Sequence, residues 1–79
     1  LYRQMEAIRP DDPEIYYSLA TVYGMMGRTG DSHYYFGLYF KKTEKRESAL
    51  FHLKAAEKSF PPDHPKRIEI KKEIESLPR

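Results

Sequence analysis

Residues 16–23 read Tyr-Tyr-Ser-Leu-Ala-Thr-Val-Tyr, and seventeen positions later residues 33–40 read His-Tyr-Tyr-Phe-Gly-Leu-Tyr-Phe. The two stretches match in kind: Leu19 lines up with Phe36, Ala20 with Gly37 and Tyr23 with Phe40. The step continues outward in both directions. Tyr2, Leu19, Phe36, Leu53 and Ile70 are each seventeen residues apart and all are bulky and largely apolar. Ser32 and Ala49 keep the same step, and Pro10 and Pro61 stand three steps apart. Seventeen residues is one helix with its link, so two steps make a period of about 34 residues. Such a period is the sequence mark of stacked helix pairs, in which no pair buries its apolar face alone.

Punctuation agrees with this register. Residues 10–13 are Pro-Asp-Asp-Pro, a turn and helix start in which Asp12 caps, Pro13 takes the first helical position and Glu14 the first turn. Gly27 and Gly30 bracket a second break, after which Asp31 is the expected cap. Residues 43–46, Thr-Glu-Lys-Arg, form a polar break without glycine. Pro-Pro-Asp-His-Pro at 61–65 is a firm stop, with a new helix from Pro65 and His64 capping or flanking the turn. The expected helices are 1–9, 14–26, 31–42, 46–59 and 65–77. No segment alternates with period two, so no strand is expected.

The chain has 79 residues, of which 39% are hydrophobic. That is at most one small domain, whose core is marginal unless its packing is regular. With no cysteine, disulfides and thiolate metal sites are excluded. No apolar run is long enough for a membrane span or a signal-peptide core. The net charge of +2 is too small to argue for nucleic acid. Lys41, Lys42, Lys45 and Arg46 are basic, but Glu44 and Glu47 are interleaved with them. Charge and aromatics are unevenly spread. Residues 1–40 hold three basic and five acidic groups and nine of the eleven aromatics; residues 41–79 hold eleven basic and seven acidic groups. The expectation is an aromatic first half and a solvated second half. Residues 65–77 would then be a polar capping helix that buries Ile70, Ile74 and Leu77.

These residues resemble the tetratricopeptide repeat family. Its pattern is met at Tyr16-x2-Leu19-Ala20-x2-Tyr23 with Ser32-x3-Phe36. It is met again at His33-x2-Phe36-Gly37-x2-Phe40 with Ala49-x3-Leu53 and a closing Pro61. Ser32 and His33 depart from the alanine and the large aromatic that the pattern favours. The resemblance covers residues 1–61 and implies an all-α, right-handed solenoid of antiparallel helix pairs. About five helices are expected: 1–9 ends an upstream repeat, 14–42 and 31–61 are overlapping repeats, and 65–77 caps. Leu19, Phe36 and Leu53 are expected in one continuous core. Within the family, the stretches 23–33, 39–40 and 49–56 are similar to the C-terminal tail of M48-type zinc metallopeptidases of the bacterial envelope. That likeness implies a C-terminal piece of a longer chain, with a periplasmic setting and the catalytic zinc upstream.

For function, the resemblance implies a protein or peptide partner held on an inner face. The expected surface is Tyr17, Thr21 and Met25 on one helix with Tyr34, Leu38 and Lys41 on the next, an aromatic and apolar groove with a basic edge. It suits a hydrophobic or unfolded segment better than an acidic tail, since Tyr17 and Thr21 stand where a carboxylate clamp would need lysine and asparagine. The alternative is a brace for an upstream domain of the same chain. No catalytic residue, metal ligand set or cofactor is expected. His33 and His52 lack a carboxylate four residues on, Asp11 and Asp12 read as turn and cap, and Gly24, Gly27 and Gly30 are not followed by a phosphate-binding lysine.

Overall fold

A computed structural model describes residues 12–77. Four helices run through them: α1 Pro13–Met25, α2 Thr29–Lys42, α3 Arg46–Lys58 and α4 Pro65–Glu75. No strand occurs among the described residues. The chain is all-α in this part, and the expected helix over 1–9 lies outside the described residues. α2 packs against α1 and α3, and α4 packs against α3.

Each start has a local cause. At α1 the Asp12 side chain accepts the Glu14 backbone N–H at 2.9 Å, with Pro13 next to it. At α4 the His64 Nδ1 accepts the Lys66 N–H at 3.0 Å, and Pro65 opens the helix. α2 starts differently from expectation. It begins at Thr29, so Asp31 lies inside the first turn and does not cap. Asp31 instead pairs with Arg28 at 2.9 Å, where its charge also complements the helix N-terminus.

The first two links close in the same way. After α1, Gly27 has φ 79°, the Arg28 N–H reaches Tyr23 O at 2.9 Å, and the Gly27 N–H reaches Gly24 O at 3.1 Å. After α2, Glu44 has φ 62°, the Lys45 N–H reaches Phe40 O at 2.8 Å, and the Glu44 N–H reaches Lys41 O at 3.2 Å. Both are Schellman closures with a left-handed residue just past the helix. Gly27 and Glu44 are seventeen residues apart, so the sequence step is also a step between backbone joints. One more step falls on Pro61, whose ring forbids a positive φ. The third link is accordingly longer. Arg67 Nε closes it, donating to Glu57 O at 2.8 Å and Phe60 O at 3.0 Å, so a side chain satisfies carbonyls at the end of α3.

The buried cluster is Ala49, Leu53 and Ala56 of α3 with Ile70 and Leu77, and Tyr34, Phe40, Leu50, Phe60 and Ile74 pack against it. α2 and α3 approach closely at Gly37: a Cβ there would stand 2.7 Å from both Cγ and Cδ2 of Leu53. On the other side of α2, Ser32 is buried and its hydroxyl donates to Ala20 O at 2.8 Å. The hydroxyl thus stands where alanine was expected and is fully satisfied.

Two expectations need correction. Leu53 is in the cluster, but Leu19 is buried outside it with Ile15 and Ala20, and Phe36 is only half-buried. Phe36 lies between Tyr17 and His52, each with a ring-centre distance of 5.4 Å. The charged half is also not simply solvated: all five residues of the cluster come after residue 41. Small and aliphatic side chains close that core, whereas the bulky rings of α1 and α2 stack at its margin.

Candidate interaction cleft

An open cleft of about 630 Å³ runs along α2. Tyr34, Leu38 and Lys41, one helical face at spacings of four and three, form one wall together with Lys42. Tyr16 of α1, Glu44 of the joint and Glu73 of α4 complete it. Two tyrosines and a leucine give it apolar surface with polar tips, and Lys41, Lys42, Glu44 and Glu73 set charges around them.

Cross-links from α4 fix these side chains. Lys41 Nζ donates to Glu73 Oε1 at 2.8 Å and to Ser76 Oγ at 2.7 Å. Ser76 Oγ in turn donates to Glu73 O at 3.0 Å. Lys66 places its ammonium 4.2 Å from the centre of the Tyr34 ring, a cation–π contact. Burial, and then the nearby charges of Glu73 and Glu69, push the Tyr34 hydroxyl up to about 12. Tyr34 therefore stays a neutral hydroxyl, able to donate and accept, through the whole physiological range.

The expected six-residue surface divides. Tyr34, Leu38 and Lys41 come together in the cleft, while Tyr17, Thr21 and Met25 do not line it. Tyr17 packs edge-on against Phe36 at 5.4 Å and Tyr39 at 5.2 Å. The Thr21 hydroxyl donates back to Tyr17 O at 2.9 Å. Met25 is 83% exposed at the end of α1. The basic edge also moves, since Lys41 is matched by Glu73; exposed Lys42 carries it.

Several contributors had no signal in the sequence. Tyr16 enters the sequence reading only through the repeat pattern, and Glu73 and Lys66 reach the cleft from more than thirty residues away. His33 and His52, which no spacing in the sequence pairs, meet across α2 and α3. No cluster of three or more histidine, cysteine or acidic groups able to hold a metal occurs among the described residues. No helix among them is long and apolar enough to cross a membrane. No protein-family model, curated protein or solved structure matches this chain.

Proposed function

We propose that the chain is a protein-interaction module of the tetratricopeptide type. In this reading it is a right-handed solenoid of antiparallel helix pairs and the non-catalytic tail of a larger protein. It holds a peptide, or an unfolded hydrophobic segment, in the cleft beside α2. By the resemblance drawn from the sequence, the larger protein would be a zinc metallopeptidase of the cell envelope. The solenoid reading is supported by the two like joints at Gly27 and Glu44 and by the backbone-close meeting of Gly37 and Leu53. Complete burial of Ala49 and Ala56, small residues where paired helices would touch, points the same way.

The observation that carries the binding reading is the row Tyr34, Leu38 and Lys41 along one open cleft, braced from α4 by Lys66 and Glu73. A braced wall loses little side-chain entropy when a ligand arrives. The test is fluorescence anisotropy of labelled extended peptides, apolar and polar, against the chain and a Tyr34→Ala/Leu38→Ala variant that keeps its helical circular dichroism. Binding of the apolar peptides, weakened at least about tenfold in the variant, is expected for the loss of two central anchors. Equal binding by both proteins refutes the cleft as the site.

One observation favours a second reading, the brace. Met25 and Met26 are 83% and 61% exposed at the end of α1. Apolar groups of that size suit the docking of an upstream domain. In that case no peptide binds the cleft, and Met25→Ser/Met26→Ser weakens attachment to the parent protein.

A further inference from the structure

We infer that His33 and His52 form an acid-sensitive clasp between α2 and α3, closed by one shared proton and opened by a second. Their Nδ1 atoms are 3.0 Å apart, and the ring centres 5.2 Å. A contact that short between two imidazole nitrogens needs one N–H and one bare lone pair. Two neutral rings of opposite tautomer satisfy it, and so does one neutral ring facing one charged ring. Two charged rings do not, because both nitrogens would then carry hydrogen and positive charge.

The surroundings keep the His52 ring in place and make charge costly there. His52 lies flat on Phe40, with centres 5.4 Å apart and planes within 11°. Phe36 stands 5.4 Å away, and Phe51 meets the ring edge-on at 5.1 Å. Burial first, and the charge of His33 second, hold the His52 imidazole below its usual range. His33 of α2 is the titratable group in ring contact with His52; Tyr17 of α1 and Tyr39 of α2 instead contact Phe36 and Phe40, the rings that stand against His52. On α3 its ring neighbour Phe51 carries no charge.

The direction of the pH effect follows. The unfolded chain protonates both imidazoles as pH falls through about 6.5. The folded pair resists the second proton, so the unfolded state binds more protons in acid and stability falls with pH. The clasp sits one turn from Gly37, where α2 approaches Leu53 of α3 closely. Opening it therefore loads the contact on which the Leu53 cluster depends. The inference does not depend on what the cleft binds.

A third histidine must be separated from this effect. His64 Nδ1 accepts the Lys66 N–H, so its protonation uncaps α4. His64→Asn retains a cap acceptor without titrating. The experiment is urea unfolding of the 79-residue chain from about pH 8 to about pH 5, in the His64→Asn protein with and without His52→Phe. The folding equilibrium constant of His64→Asn is expected to drop by up to about tenfold per pH unit below about pH 6.5, and His52→Phe flattens that slope. Ring ¹⁵N shifts of the native chain give a second readout that needs no variant. They should report one Nδ1 donor, one Nδ1 acceptor and coupled titration of the two. Identical slopes in both proteins, or independent titration of His33 and His52 at the ordinary midpoint, overturn the clasp.

Discussion

Replacing Gly37 by alanine probes a close approach between α2 and α3. In an exposed helix interior this change stabilises by up to about 1 kcal/mol, because glycine is the more costly residue to order. Here the new Cβ would lie 2.7 Å from Leu53 Cγ and Cδ2 and 3.4 Å from the Leu53 backbone nitrogen. Ordinary carbon contacts begin near about 3.5 Å, so two pairs overlap by close to an ångström. Leu53 cannot swing away, since it is fully buried with Ala49 and Ala56 on its own helix. The helices must part, and overpacking of this kind costs about 1–3 kcal/mol. Set against a propensity gain of up to about 1 kcal/mol, that leaves a net loss of up to about 2 kcal/mol, or at most roughly 16 °C in Tm for a domain of this size. Gly24→Ala is the internal control. It is also helical, but exposed, and its Cβ meets only the Ser32 side chain, at 3.2 Å from Oγ. Urea unfolding followed by circular dichroism should rank Gly37→Ala below Gly24→Ala, with unchanged m-values. A Gly37→Ala protein as stable as Gly24→Ala would refute the packing of α2 on α3 through this point.

Two further outcomes are expected. Glu44 holds φ 62° without the freedom of glycine, so Glu44→Gly relieves left-handed strain and raises stability by about 0.5–1 kcal/mol in the same urea assay; a loss would mean that the joint is held by its side chain. In an alkaline titration followed by tyrosinate absorbance, a component near 12 is expected, and Tyr34→Phe removes it. The sign for stability is fixed by the raised value: above about pH 10 the unfolded chain loses this proton first, so Tyr34 favours unfolding as pH climbs from there towards 12.

The helices of residues 12–77 were legible because their causes are local. Asp12 with Pro13, Gly27, and the prolines at 61, 62 and 65 each set a backbone angle or a cap within a few residues of themselves. Glu44 was less legible, because nothing in its type announces a positive φ; only its distance from Gly27 does. The core was misread in emphasis. Eleven aromatics drew attention to the first half, yet a ring is too large for the place where two backbones touch, and Ala49, Ala56 and Gly37 took it. The cleft was half legible. Tyr34, Leu38 and Lys41 follow from helical spacing on one element, but Glu73 and Lys66 arrive through tertiary packing that no spacing encodes. The His33–His52 contact lies across a helix interface, nineteen residues apart and off the seventeen-residue step, so the repeat itself directed attention elsewhere.

The like joints at Gly27 and Glu44 make the helix with its closure a portable part of this chain. A spare copy of residues 28–44 spliced in after Glu44 would bring its own left-handed residue and its own 6→1 and 5→2 closure. The same copy spliced in after Pro61 would follow a residue whose ring cannot make that bend. Lengthening by duplication is therefore permitted at one boundary and blocked at the other, a directional grammar written in backbone angles.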